Sequence, residues 1–275
     1  MMDTTSFNMD AQQILQHLKA GNKLDPPFLS QVDLLYARDE GSMNELTYIG
    51  LAQRATQYPD VAFTLPSTAL DRVDCSKAVK EFVRDREPFV GISLSNKIIM
   101  EEKRDGIPPR YERLMVKFME ELLNAGHRIL LVPHSYHPTL AADDYHFTKR
   151  LFQEFSKDER CLMVEGDLTP QELKTLIGLS KVFIGSRYHS LIAALSSGVP
   201  SLSVGWNYKY DGLFSLFGME QFCFHNDTVT LEELLEAYDS LDKQSVSYSE
   251  KIQSCLPPIL DQVDMSVKNI STLLQ

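Results

Sequence analysis

The chain has 275 residues, 43% hydrophobic and 24% charged, the ordinary balance for a globular protein with a real core in one large domain or two smaller ones. Its formal net charge of −11 argues against a general binder of nucleic acid or another polyanion, which carries a basic face, while leaving room for one local anion site. No stretch approaches the roughly 18–20 apolar residues of a membrane span, and the opening MMDTTSFNMDAQQ carries no basic-then-apolar signal. The four cysteines, Cys75, Cys161, Cys223 and Cys255, are scattered without CxxC or CxxH pairing, so they read as reduced thiols of a cytoplasmic protein.

In chain order, 10–18 reads as a helix, Val32 to Ala37 as a strand, and 42–49 as a helix after Arg38-Asp39-Glu40-Gly41. A short apolar piece, Val61 to Leu65, precedes a polar link containing Pro66 and Cys75. From residue 89 the pattern changes to regular alternation. Strands are expected at 89–94, 128–132, 161–164, 181–184 and 201–204; helices are expected at 109–125, 141–157, 169–179 and 187–197. Thr169-Pro170-Gln171-Glu172 is a capping-box start with proline at the first helical position. Two further helices follow at 230–242 and 247–273, the second expected to be interrupted at Pro257-Pro258. The chain thus divides into 1–88, 89–228 and 229–275.

Apolar strands alternating with helices imply an α/β fold, a Rossmann-like parallel sheet covered by helices on both faces. Ligands of such sheets lie beyond the carboxyl ends of the strands. The polar groups expected on that edge are Ser95 and Asn96, His134, Gly166-Asp167, Ser186 to His189, and Asn207 to Lys209. The most informative run is Ile184-Gly185-Ser186-Arg187-Tyr188-His189-Ser190, where an apolar strand gives way to a helix that ends at Gly198. A helix start carries unpaired N–H groups and the positive end of a dipole, so it attracts anions. Arg187 adds a fixed cation and His189 a titratable imidazole. The alternative for His189 is a histidine that hydrogen-bonds a neighbouring loop, and for Lys209 a solvated lysine.

Other groups admit two readings as well. His134 and His137, with Asp143 and Asp144 downstream, suggest a metal but match no standard ligand spacing, and His134 also suits a cleft wall. Arg38-Asp39-Glu40 is either catalytic or a salt-bridged turn. Glu101-Glu102-Lys103-Arg104-Asp105 reads as a mobile, solvated loop. The aromatic group Trp206, Tyr208, Tyr210, Phe214 and Phe217 reads as core, with one ring exposed for a sugar to stack on.

At these residues the sequence resembles the polysaccharide pyruvyl transferase family. The matching pieces are Ala37 to Ser42, Asp60 to Phe63, Gly91 to Ser95, Val132-Pro133-His134, Leu168 to Lys174, Phe183 to Ser190 continued to Pro200, and Tyr208-Lys209. They cover roughly residues 30 to 225, and the Arg-x-His helix start with its downstream lysine is distinctive. The resemblance implies a two-domain, GT-B-like architecture with the active site between Rossmann-like halves. Residues 1–88 would then be a remnant of the N-terminal domain with its linker, 89–228 the donor-binding domain, and most of the N-terminal half would be absent.

The implied reaction moves a pyruvyl group from phosphoenolpyruvate to a hydroxyl pair on a glycan or lipid-linked sugar, forming a ketal during surface-polysaccharide assembly. Phosphoenolpyruvate is a cosubstrate, and no metal or organic cofactor is implied. Histidine suits the acid that protonates the methylene carbon, because its unperturbed pKa lies near cellular pH. His189 is the expected acid and Arg187 the cation for phosphate or carboxylate. Ser186, Tyr188, Ser190, Lys209, His134, Ser95 and Asn96 are expected to bind substrate. The alternatives are a GT-B glycosyltransferase using a nucleotide sugar, and a truncated, non-catalytic family member. The first would commonly carry a spaced glutamate pair where this chain reads Trp206 to Gly212 without one.

Overall fold

The computed structural model describes residues 32–85, 87–102, 109–136 and 143–273. The helix expected at 10–18 lies outside them, as does His137. The chain forms two compact units, Met1–Asp60 with Gln262–Gln275, and Val61–Asp261.

In the described part of the first unit, strand β1 (Leu35–Ala37) is followed by helix α1 (Glu40–Tyr48) and strand β2 (Ala55–Gln57), which pairs parallel to β1. Asp39 caps α1 by accepting the Ser42 N–H at 2.7 Å, and Arg38 pairs with Asp39 at 3.5 Å and Asp60 at 3.3 Å. Arg38-Asp39-Glu40 is therefore the salt-bridged turn of the two readings. A helix needs an acceptor for its first N–H groups, and an aspartate at the cap supplies one.

The second unit opens with a single 3-10 turn at Val61–Thr64 and helix α2 (Lys77–Arg84), which the polar link did not announce. Then follow β3 (Phe89–Ser93), α3 (Asn96–Glu102), α4 (Arg110–Asn124), β4 (Arg128–Leu131), α5 (Asp144–Phe155), β5 (Cys161–Met163), α6 (Pro170–Gly178) and β6 (Val182–Gly185). After these come α7 (Tyr188–Leu195), β7 (Ser201–Gly205), α8 (Lys209–Ser215), β8 (Cys223–His225), α9 (Leu231–Lys243) and α10 (Ser245–Leu273). The boundary between the units falls within α10.

The six strands β3 to β8 form one sheet in the order β5-β4-β3-β6-β7-β8, every pair parallel. Parallel strands buried on both faces read as continuous apolar runs, which is why β3, β4 and β6 were visible in sequence. Their cores are sealed: Ile92, Leu130 and Phe183 are 0% exposed. Helices α4 and α9 pack together, as do α6 and α7, and both α7 and α9 also contact β6 and β7. The sheet is thus flanked by helices, the Rossmann-like arrangement expected.

One expectation fails at the C-terminus. Helix α10 runs through Pro257 and Pro258 without interruption. Both prolines face solvent, whereas Ile252, Ile259 and Val263 are buried, so the anchoring stripe passes them by. Among the described residues no helix is long and apolar enough to cross a membrane.

Candidate functional site

The strand order reverses between β3 and β6, because β4 and β5 lie on one side of β3 and β6 to β8 on the other. In open α/β sheets the crevice beyond the carboxyl ends at such a switch point is where ligands bind. Four loops meet on that edge. Strand β3 leads into Ser95-Asn96-Lys97, β4 into Pro133-His134, β6 into Ser186-Arg187, and β7 into Trp206 to Lys209.

The elbow after β6 is fixed from below. The Ser186 N–H donates to the Ser93 carbonyl at 2.9 Å, continuing the β3–β6 ladder past its end. The Tyr111 hydroxyl donates to Ser186 Oγ at 2.7 Å and accepts the Ser95 N–H at 3.2 Å. The Tyr210 hydroxyl donates to the Ser186 carbonyl at 2.9 Å. Burial pushes both phenols above the usual tyrosine range, so they remain protonated donors. Ser190 Oγ closes the first turn of α7 by donating to the Arg187 carbonyl at 2.7 Å. Ser95, Ser186 and Ser190, expected among the substrate-binding residues, are each 0% exposed; Ser186 and Ser190 use their hydroxyls within the elbow, whereas the Ser95 hydroxyl has no hydrogen-bond partner among the described residues.

Arg187 occupies the N-cap position of α7, which has no side-chain cap hydrogen bond. Its guanidinium makes a two-pronged pair with Asp144, Nε to Oδ2 at 2.7 Å and Nη2 to Oδ1 at 2.6 Å. Asp144 is wholly buried and also accepts the Asn96 N–H at 2.8 Å. One carboxylate therefore ties together the loops after β3, β4 and β6. Burial pushes the Asp144 carboxyl up, against the opposing pull of Arg187 and the Asn96 N–H. Such planar, charge-assisted pairs fix an arginine's orientation as well as its charge. Arg187 is expected from sequence to meet an incoming anion; the structure shows one edge of its fork already committed to Asp144.

His134 and His189 differ sharply. His134 is partly exposed, but its Nδ1 is buried and has no hydrogen-bond partner among the described residues. Burial first, then the nearby positive charges of His189 and Arg187, lowers its pKa to about 3. His134 is therefore neutral at any physiological pH. His189 lies exposed on the first turn of α7. Tyr188 beside it is buried, its ring meeting Tyr210 edge-on at 6.1 Å.

Lys209, at the start of α8, directs Nζ towards three aromatic rings: Trp206 at 5.0 Å, Tyr188 at 5.5 Å and Tyr210 at 5.6 Å. Lys97 lies 3.9 Å over the Trp206 ring. Sequence reasoning stopped one residue short, at Asn96, and missed Lys97. It also missed Tyr111, whose place in an amphipathic helix marked it only as core.

Other expectations are redistributed. Asp143 caps α5 through the Tyr145 N–H at 2.7 Å and pairs with His146, while Asp144 serves Arg187, so both carboxylates of the suggested metal set have partners within the fold. Among the described residues no three His, Cys, Asp or Glu side chains gather to hold a metal ion. Glu101 and Glu102 end helix α3 instead of lying in a solvated loop. Glu102 accepts from the Tyr111 N–H at 2.8 Å and from Asn226 Nδ2 at 2.7 Å. Tyr210, Phe214 and Phe217 are core, and Tyr208 is the exposed ring at 39%.

The fold and its switch-point site define a GT-B-like half. Its solved likenesses include the UDP-GlcNAc 2-epimerase of Methanocaldococcus jannaschii in complex with UDP-GlcNAc and UDP, with a TM-score of 0.54 and 13% identity, covering 76% of this chain and 54% of that one. The S. aureus MnaA–UDP co-structure gives a TM-score of 0.56 at 11% identity, covering 80% and 55%. The model of the polysaccharide pyruvyl transferase family matches residues 22–208, and the chain belongs to that family. It is 22% identical over 210 residues to the amylovoran biosynthesis protein AmsJ of Erwinia amylovora, 70% of this chain and 47% of AmsJ. The chain thus spans about half the length of the curated relative it matches.

Proposed function

We propose that this chain transfers a pyruvyl group from phosphoenolpyruvate to two hydroxyls of a sugar acceptor, free in a glycan or lipid-linked, in polysaccharide biosynthesis. One observation carries the reading: in a chain of net charge −11, Arg187 and His189 stand at the switch point within the segment matched by the family model, and Lys209, one residue past that segment, opens the helix after the neighbouring strand. Phosphoenolpyruvate presents two anionic groups and a carbon to be protonated, and these residue types answer all three.

His189 delivers a proton to the methylene carbon, which becomes a methyl group and leaves C2 electron-deficient. A sugar hydroxyl adds to C2 and releases its proton to the enzyme, restoring the acid. The bond between C2 and the bridging phosphate oxygen then breaks, phosphate departs with that oxygen, and the second hydroxyl adds to C2 and closes the ketal. Its proton leaves with the phosphate. Arg187, held in plane by Asp144, and Lys209 neutralise the carboxylate and phosphate. Neutral His134 offers its buried Nδ1 as an uncharged hydrogen-bonding group.

Calorimetric titration with phosphoenolpyruvate, beside a panel of nucleotide sugars, tests this directly. Saturable phosphoenolpyruvate binding that Arg187→Ala abolishes is the expected result. Nucleotide-sugar binding without phosphoenolpyruvate binding would move the assignment to glycosyl transfer.

A further inference from the structure

On the far side of β3 from β6, the loop after β4 carries polar groups that the elbow does not use. Ile92 of β3 lies opposite Leu131 of β4, and the Val132 N–H still donates to the Ile92 carbonyl at 2.8 Å. Three residues beyond that pair, Ser95 and His134 come level in register at the strand ends. Tyr136 follows two residues later, its ring stacked on Tyr145 of α5 with centroids 5.5 Å apart. Ser95 Oγ, His134 Nδ1 and Tyr136 Oη are all buried, and none has a hydrogen-bond partner among the described residues. Ser95 is 0% exposed, whereas His134 and Tyr136 are partly exposed.

A buried donor or acceptor without a partner has lost water and gained nothing, so three in one corner call for an explanation. The neighbouring elbow leaves no such loose end: the hydroxyls of Tyr111, Ser186, Ser190 and Tyr210 are all bonded. The chemistry of the corner says what would complete it. Hydroxyls both donate and accept, and a neutral imidazole has one nitrogen of each sort. Burial, with the positive charges of His189 and Arg187 behind it, keeps His134 unprotonated, and burial keeps the Tyr136 phenol protonated. An anion only accepts, and the cations beyond β3 suit it better. A sugar hydroxyl donates and accepts at once, as these groups do.

We propose that His134 and Tyr136, backed by Ser95 and by the ring of Tyr145, form the acceptor subsite and bind hydroxyls of an uncharged sugar. Hydroxyls held there lie on the other side of β3 from β6 and β7, whose loops carry Arg187, His189 and Lys209. Donor and acceptor thus meet across the end of β3. This deepens the pyruvyl-transfer reading by naming the place and class of the acceptor. It rests on that reading only in calling the bound sugar an acceptor.

The test uses the full chain with nitrogen-15 in its seven histidines, the His134 signals being those lost in His134→Gln. Methyl glucoside, methyl galactoside and methyl mannoside are titrated separately, with methyl glucuronide as the charged counterpart, each with and without phosphoenolpyruvate. At least one uncharged glycoside is expected to shift the His134 ring nitrogens saturably, and the glucuronide to bind more weakly. Tyr136→Phe should weaken that glycoside about two- to tenfold, the worth of one hydrogen bond, while phosphoenolpyruvate affinity by calorimetry stays within about twofold. Matched thermal melts establish that each variant is folded. If phosphoenolpyruvate binds and no uncharged glycoside moves His134, the donor stands and the acceptor subsite is overturned. Full glycoside affinity in Tyr136→Phe, or tighter binding of the glucuronide, overturns it as well. A glycoside that moves His134 in a chain that binds no phosphoenolpyruvate leaves the sugar site standing and ends the donor assignment. Binding of neither overturns both.

Discussion

The loops that leave β5 and β6 emerge on the same edge of one sheet and each begins a helix, yet they are built to opposite ends. After β5, Glu165, Gly166 and Asp167 are exposed, and Lys149 meets Glu165 at 3.0 Å. The start of α6 is closed by a reciprocal cap: the Thr169 N–H donates to Glu172 at 2.8 Å, and the Glu172 N–H donates to Thr169 Oγ1. Glu172 also accepts the Asp74 N–H at 2.7 Å. After β6, Ser186 and Ser190 are buried, Arg187 is half-buried and His189 exposed, and α7 has no side-chain cap. The chain's polar side chains finish the α6 start locally, whereas at α7 they come from helices α4, α5 and α8 and brace the elbow from below. The first helix start is completed within its own turn; the second is braced from afar and left without a cap.

The largest expected effect breaks the second loop. Asp144→Ala removes the buried carboxylate that accepts from both the Arg187 guanidinium and the Asn96 N–H. It should cost about 3–5 kcal/mol in chemical denaturation, as for other broken buried pairs. Next is Tyr111→Phe, which strands the buried Ser95 N–H and Ser186 Oγ, for about 1–3 kcal/mol by the same measurement. Gly205→Ala should fall in the same range. A Cβ there would lie 2.6 Å from Tyr210 Cδ2, so the ring that holds the Ser186 carbonyl must move. That variant should also weaken phosphoenolpyruvate binding in calorimetry.

The first loop supplies the control. Thr169→Ala should lose about 1 kcal/mol of stability with its cap and leave phosphoenolpyruvate affinity unchanged. A matching loss of affinity would dissolve the contrast between the loops. The remaining effect is absent at neutral pH and develops only on acidification. His134 has its folded pKa lowered from 6.5 to about 3, so the unfolded chain binds the extra proton between those values. Stability from this group is full above pH 6.5 and drains away as pH falls towards 3. His134→Gln should flatten that stretch of a stability–pH curve.

The central strands and the capping boxes were legible because each is encoded by neighbours in sequence: an apolar run, or a threonine three residues before a glutamate. Asp144 was not legible as Arg187's partner, since the two meet only through the sheet order. Helices α3 and α8 are seven residues each, too short for a periodic pattern to declare itself. Strand β8, three residues at the sheet margin, gives no apolar run either. The difference between His134 and His189 is one of burial, which no local pattern carries. Pro257 and Pro258 misled because the rule against helical proline weighs the backbone alone, while buried side chains on either side hold α10 continuous.

The strand order also has a consequence in time. Strand β3 is the earliest of the six in the sequence, yet it lies inside the sheet, with Val90 opposite both Ile129 of β4 and Val182 of β6. A ribosome completes β3, β4 and β5 well before it reaches β6. Throughout that interval one margin of β3 shows a row of unpaired amides to whatever passes, including the same margin of another nascent copy. Arrival of Val182–Gly185 covers that margin but presents the far margin of β6 in its place, until β7 pairs with it and Tyr210 follows to hold the Ser186 carbonyl, so sheet edge and elbow are completed together only late in synthesis.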